Sequence, residues 1–214
     1  MPILLPVLTC ALALAGVLAS EHRGSRWGNV ICKPLASLSF LAAALAAGAT
    51  ATPYGRTVLL GLALCAAGDV CLLGRRKAAL LAGLGTFLLG HVAYGVAFLR
   101  GGVAGGAALA AGLALLPAAV VALALLWRHV PGAMRPPVVL YVVVISAMAT
   151  LAWGHAGGPG PLQVGAGATC FWLSDVGVAR DRFVARSPWQ RSAYLPLYYA
   201  AQILLATSVA AASC

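Results

Sequence analysis

The chain has 214 residues, of which 62% are hydrophobic and 8% charged. A water-soluble domain of this size needs far more polar surface, so composition excludes a soluble globule and points to lipid as the exterior. The net charge of +10 does not indicate a nucleic-acid binder, because the basic residues sit in short gaps between apolar runs and form no patch or RNA-binding motif.

A bilayer core takes about 20 apolar residues per helix. Gly, Pro and charge punctuate the chain into eight expected spans, at 3–20, 34–50, 56–73, 79–99, 104–127, 137–153, 161–179 and 193–211. The expected fold is therefore all-α, a single bundle of eight transmembrane helices forming one domain over residues 1–214. The first run follows the uncharged "MPILLP" and is itself followed by Arg23 and Arg26, so it reads as a retained span rather than a signal peptide.

Alternate gaps fall on opposite sides of the membrane. One side holds Arg23, Arg26, Lys33, Arg75, Arg76, Lys77, Arg128, Arg135, Arg180, Arg182, Arg186 and Arg191, and the other only Arg56 and Arg100. Positive charge stays cytoplasmic, which predicts a multi-pass protein with both termini non-cytoplasmic, in periplasm or lumen; a bacterial inner membrane is the expected location. "GDVCLLGRR" closes span 3 and "SDVGVARDR" closes span 7, with Asp69 and Asp175 in matching places 106 residues apart. The two halves thus read as a candidate parallel 4+4 repeat. Abundant Ala and Gly, as in "GLALCAAG", predict close helix packing and carry no functional signal.

Six cysteines form no C-x-x-C pair and no ligand cluster with histidine, and read as small hydrophobes. No H-x-x-x-H pattern argues for a metal, and no G-x-S-x-G argues for a serine hydrolase. The informative groups are acids inside spans. Asp69 lies six residues before Arg75, about 9 Å along a helix, and Asp175 lies five before Arg180, about 7.5 Å, so both are expected at one depth in the cytoplasmic half. Intramembrane acids mark functional sites by default, whereas a structural acid would pair with a neighbouring arginine or cap a helix.

Tyr198 is level with the aspartates by the same count, Gln202 lies one turn beyond it on one face, and Tyr199 points elsewhere. Ser174 either donates to a carboxylate or bonds its own backbone. Lys33 opens span 2 at the surface, as a topological anchor or a ligand contact. His91 and Tyr94 share a face of span 4, and the count from Lys77, about 21 Å, sets His91 deeper than the aspartates by more than a side chain's reach. At that depth it either lines the floor of a cavity or bridges helices.

"CKPL", "GDVCLL", "GHVAY", "FWLSDVGVARDRF" and "YYAAQILL" occur in this order along the chain. Together they resemble the YhhN family of membrane proteins, which includes the lysoplasmalogenases. The resemblance implies an eight-span fold and hydrolysis of the vinyl ether bond of lysoplasmenylethanolamine or lysoplasmenylcholine to a fatty aldehyde and a glycerophospho-alcohol. It implies catalysis by Asp69 and Asp175, with Lys33, His91, Ser174, Tyr198, Tyr199 and Gln202 binding substrate or supporting the acids. Spans 5 and 6 contribute nothing recognisable.

That chemistry suits two carboxyls. Protonation of the vinyl carbon gives an oxocarbenium ion that water captures, and the hemiacetal collapses to aldehyde and alcohol. One carboxyl carries the proton while its ionised neighbour holds the cation and orients water. Two close carboxyls share a proton and titrate as a unit, so neither is assigned as the acid. No cofactor and no metal is called for. Lys33, Arg75 and Arg180 are the candidates for the headgroup phosphate of a lysolipid substrate, in a pocket opening to the cytoplasmic leaflet. A small proton-coupled transporter and a lipid-binding membrane protein are the other readings compatible with buried acids.

Overall fold

A computed structural model describes residues 2–74 and 76–210, and of Lys77 the backbone alone. Eight α-helices make up almost all of it: α1 (Leu4–Arg23), α2 (Arg26–Ala46), α3 (Pro53–Cys71), α4 (Lys77–Gly101), α5 (Gly105–Trp127), α6 (Arg135–Ala156), α7 (Leu162–Phe183) and α8 (Pro188–Ser208), with a 3-10 turn at Gly132–Met134 before α6. Six of them, α1 to α6, are long and apolar enough to cross a membrane. The chain is an integral membrane protein by this measure, with α7 and α8 the more polar pair.

The helix ends follow local chemistry. Gly24 adopts φ 65°, a left-handed conformation that a side chain would oppose, and ends α1. Ser25 then caps α2, its side chain accepting from the Gly28 N–H at 3.3 Å. Thr52 caps α3 in the same way through Gly55 N–H at 3.0 Å, with Pro53 at the first helical position. The sequence pattern places the start of the second span at 34, where Lys33 and Pro34 punctuate the chain. Pro34 instead lies inside α2, which starts at Arg26, eight residues earlier, directly after its Ser25 cap. Pro117 and Pro196 are likewise internal to α5 and α8.

Consecutive helices pair as α1–α2, α3–α4, α5–α6 and α7–α8. Contacts of α2 with α3, α4 with α6, α6 with α7 and α8 with α2 close a ring of six helices. Outside it, α1 packs on α2 and α8, and α5 packs mainly on α6. Leu109, Leu113, Leu116 and Leu125 of α5 are exposed, as expected of a lipid-facing surface. Small residues set the close approaches: a Cβ on Gly61 of α3 would stand 2.6 Å from the Tyr94 ring of α4, and one on Gly177 of α7 would stand 2.6 Å from Tyr194 Cβ of α8.

The helices alternate in direction. The end of α1, the start of α2, the end of α3, the start of α4, the end of α7 and the start of α8 meet at one end of the bundle around a cavity of about 1150 Å³. Arg26, Lys33, Arg76, Arg182, Arg186 and Arg191 are on its wall.

Candidate active site

The ring encloses polar side chains that its apolar helices would otherwise exclude. Asp69, in the last turn of α3, is 5% exposed. Its Oδ2 accepts from Ser37 Oγ of α2 at 2.7 Å and from the Tyr198 hydroxyl of α8 at 2.7 Å. Two hydroxyl donors on one oxygen are the pattern of a carboxylate satisfied without a salt bridge. Lys33, one turn before Ser37, is the cation whose field reaches this group.

Asp175, on α7, has different company. Its Oδ2 stands 3.4 Å from His91 Nε2 of α4. The Tyr141 hydroxyl of α6 neighbours the same carboxyl, and the Tyr141 ring lies 5.5 Å from the His91 ring, edge to face. His91 Nδ1 lies 2.7 Å from the Phe87 carbonyl, which can only accept, so Nδ1 carries a hydrogen. Nε2 of the neutral ring is then an acceptor that faces a carboxyl oxygen. Neither atom has another hydrogen-bond partner among the described residues. Two buried acceptors cannot face each other without a proton, so the pair holds one, either on Asp175 or on the imidazole.

The arrangement overturns the expected depth of His91. Side chains on a helix slant toward its own N-terminus. At the cavity end α4 begins and α7 finishes, so His91 slants toward that end and Asp175 away from it, and they converge. Moreover, α7 runs on to Phe183, eight residues past Asp175, which sets the carboxyl about 12 Å from the helix end rather than the 7.5 Å counted to Arg180.

Each aspartate therefore has its own partners. Between them stands Phe171, one turn from Asp175 on α7, with its ring 4.5 Å from His91 and 5.5 Å from Tyr198. A second polar layer lies one turn further from the cavity end. There the Tyr94 hydroxyl donates to Gln202 Oε1 at 2.7 Å, and Cys65 lies one turn from Asp69. Gln202 Nε2 and the Tyr199 hydroxyl are buried with no well-formed hydrogen bond among the described residues, their polar neighbours being Cys65 and Ser37. Ser174 takes neither expected role: it donates to the Tyr194 carbonyl of α8 at 3.0 Å, which ties α7 to α8.

Of the expected phosphate contacts, Lys33 is on the wall of the large cavity. Arg180 is exposed and is on the wall of neither cavity described here, and Arg75 lies outside the described residues. Ser37, Tyr141 and Phe171 were not anticipated. Ser37 follows Lys33 by one helical turn, a spacing that could have singled it out; Tyr141 and Phe171 carry no such sign in the sequence.

A second cavity, of about 300 Å³, is walled by apolar side chains of α4, α5, α6 and α7, with Asp175 and Tyr141 among them. Leu72, Leu80, Met134, Val178 and Arg182 belong to the walls of both cavities, so the apolar space adjoins the cationic one.

The sequence profile of the YhhN family matches residues 28–209. The chain belongs to the YhhN family. This YhhN chain is 30% identical to Lysoplasmalogenase TMEM86A of Bos taurus over 162 residues, 73% of this chain and 66% of that protein. It is 34% identical to Lysoplasmalogenase TMEM86B of Sus scrofa over 203 residues, 94% of this chain and 83% of that protein. The chain therefore spans slightly less than two thirds of the bovine relative's length. No solved structure matches it. The matched stretch contains "GDVCLL", which carries Asp69 in the last turn of α3, and "FWLSDVGVARDRF", which carries Asp175 two turns before the end of α7.

Proposed function

We propose that this protein is a membrane hydrolase that cleaves the vinyl ether bond of lysoplasmenylethanolamine or lysoplasmenylcholine, releasing a fatty aldehyde and a glycerophospho-alcohol. The observation that carries this reading is the position of Asp175: the residue is on the wall of an apolar cavity that adjoins a larger cationic one. An amphipathic lysolipid has the same order of parts, with the vinyl ether between its chain and its phosphate. The names of the relatives point to the same bond.

In this mechanism the proton held between Asp175 and His91 passes to the vinyl carbon β to the ether oxygen. The carbon–carbon double bond supplies the electron pair, leaving an oxocarbenium ion. Asp69, as a carboxylate oriented by Ser37 and Tyr198, steadies the cation and takes a proton from the attacking water. The hemiacetal then breaks its carbon–oxygen bond to the glycerol side. The alcohol leaves with the hydroxyl proton of the hemiacetal, the aldehyde with the carbonyl, and the proton that Asp69 took from water is the one that restores the Asp175–His91 pair. Apolar walls exclude bulk water and strengthen each of these interactions.

The same reading takes residues 1–214 as one domain in which α7 and α8 also cross the membrane, with the cationic cavity toward the cytoplasm and both termini opposite. A parallel 4+4 arrangement is supported by the partners of the two acids. Asp69 on α3 meets α2 and α8, and Asp175 on α7 meets α6 and α4, so each meets the second helix of its own half and the fourth of the other.

The test is lipid mass spectrometry of a lysolipid panel incubated with purified wild type, Asp69→Asn and Asp175→Asn proteins. Wild type should release aldehyde from vinyl ether lysolipids and the two variants should not, while still inserting as folded bundles. Turnover surviving in both variants would refute the mechanism.

A further inference from the structure

The cations around the large cavity are not equivalent. Arg191 is engaged by Glu21 and by Asp181, the latter at 3.4 Å, and the charge of Lys33 acts on Asp69. Arg26, Arg76 and Arg186 are on the wall of the large cavity only. Arg182 is the cation on the walls of both cavities, at their seam, and no ion pair or hydrogen bond occupies its guanidinium among the described residues. A guanidinium left unpaired where an apolar space meets a polar one is suited to an anion that arrives on an amphipathic molecule.

Its distance from the acid also fits. Arg182 follows Asp175 by seven residues, close to two turns of α7, so both side chains leave the same face about 10 Å apart along the axis. In a 1-alkenyl lysophospholipid the carbon to be protonated and the phosphorus are separated by seven bonds. An extended chain advances roughly 1.2 Å per bond, which makes about 8 Å. One helix face can therefore hold both ends of that segment.

We propose that Arg182 binds the sn-3 phosphate of the lysolipid and, with Asp175, acts as a ruler along α7 that seats the vinyl ether at the acid. The proposal rests on the hydrolase reading above and adds to it the residue that makes a phosphate part of the substrate. It also moves the phosphate contact from Arg180, which is on the wall of neither cavity, to the residue two places on.

The experiment compares wild type, Arg182→Gln and Arg182→Lys on two substrates with one alkenyl chain: a 1-alkenyl glycerophosphoethanolamine and the phosphate-free 1-alkenylglycerol. In wild type the ratio of kcat/KM should favour the phospholipid. Arg182→Gln should lower that ratio about tenfold or more, mainly through KM, as loss of a charge-assisted hydrogen bond does. Arg182→Lys should restore part of it. A ratio unchanged by Arg182→Gln overturns the proposal, whatever happens to the overall rate.

A second arm separates this outcome from failure of the hydrolase reading. Binding of a 1-O-alkyl glycerophosphoethanolamine, which has no vinyl bond to cleave, is measured in nanodiscs. Retention by wild type and about tenfold weaker binding by Arg182→Gln uphold the phosphate site even if no lipid is turned over. Equal binding by the two proteins overturns it. Displacement by inorganic phosphate as effective as by the lysolipid also overturns it, in favour of a site for the free anion.

Discussion

His91 Nε2 and Asp175 Oδ2 face each other at 3.4 Å, and the Phe87 carbonyl fixes the hydrogen of the imidazole on its other nitrogen. The relationship makes His91 the residue that positions the Asp175 proton. His91→Phe keeps a ring against Phe171 but removes Nε2. Aldehyde release should fall by about 10²-fold or more in kcat, with KM for the lysolipid little changed. A KM effect alone would show that His91 only packs.

Tyr198→Phe deletes one of the two hydroxyl donors to Asp69 Oδ2 and keeps the ring contacts with Phe40, Phe87 and Phe171. A buried carboxyl deprived of one partner should cost about 1–3 kcal/mol of stability, read as a lower melting temperature in detergent. Activity should drop with it. Ser37→Ala removes the other donor, and the double variant should lose more than either single, because both act on one oxygen.

Two glycines on α3 and α4 should behave in opposite ways. A Cβ on Gly61 would sit 2.6 Å from the Tyr94 ring, so Gly61→Ala should force α3 and α4 apart and destabilise the bundle by about 1–3 kcal/mol. A Cβ on Gly85 meets nothing within 4 Å, and Gly85 is on the wall of the apolar cavity. Gly85→Leu should leave thermal stability near that of wild type and shift turnover toward shorter alkenyl chains, measured across a chain-length series.

Arg191→Leu leaves Glu21 and Asp181 without their shared cation, although their side chains are only 8% and 11% exposed. The contact joins the end of α1 to α7 and α8. Its loss should cost about 1.5–3 kcal/mol, seen as a lower melting temperature that added salt does little to change.

How much of this was legible beforehand depends on what pattern could carry. Eight helices in order follow from runs of apolar residues, which lipid imposes on any span. Exact ends did not follow, because a proline such as Pro34 marks a helix start only when no cap precedes it, and Ser25 does. Asp69 and Asp175 stood out as acids in apolar runs. Their partners did not, since Ser37 and Tyr141 look like any small polar or aromatic residue of a membrane helix. The depth of His91 failed for a vectorial reason: rise per residue locates a Cα, whereas contact depends on which way the side chain slants, and that depends on helix direction.

The hydrogen bond from Tyr198 to Asp69 spans 129 residues of chain. A nascent chain threaded into the bilayer helix by helix would deliver Asp175 to a His91 already present. Asp69, by contrast, would enter with Ser37 alone and wait until the last helix arrived. The first acid is thus a debt to lipid that only α8 discharges, so a chain shortened before Tyr198 would fail in biogenesis as well as in turnover.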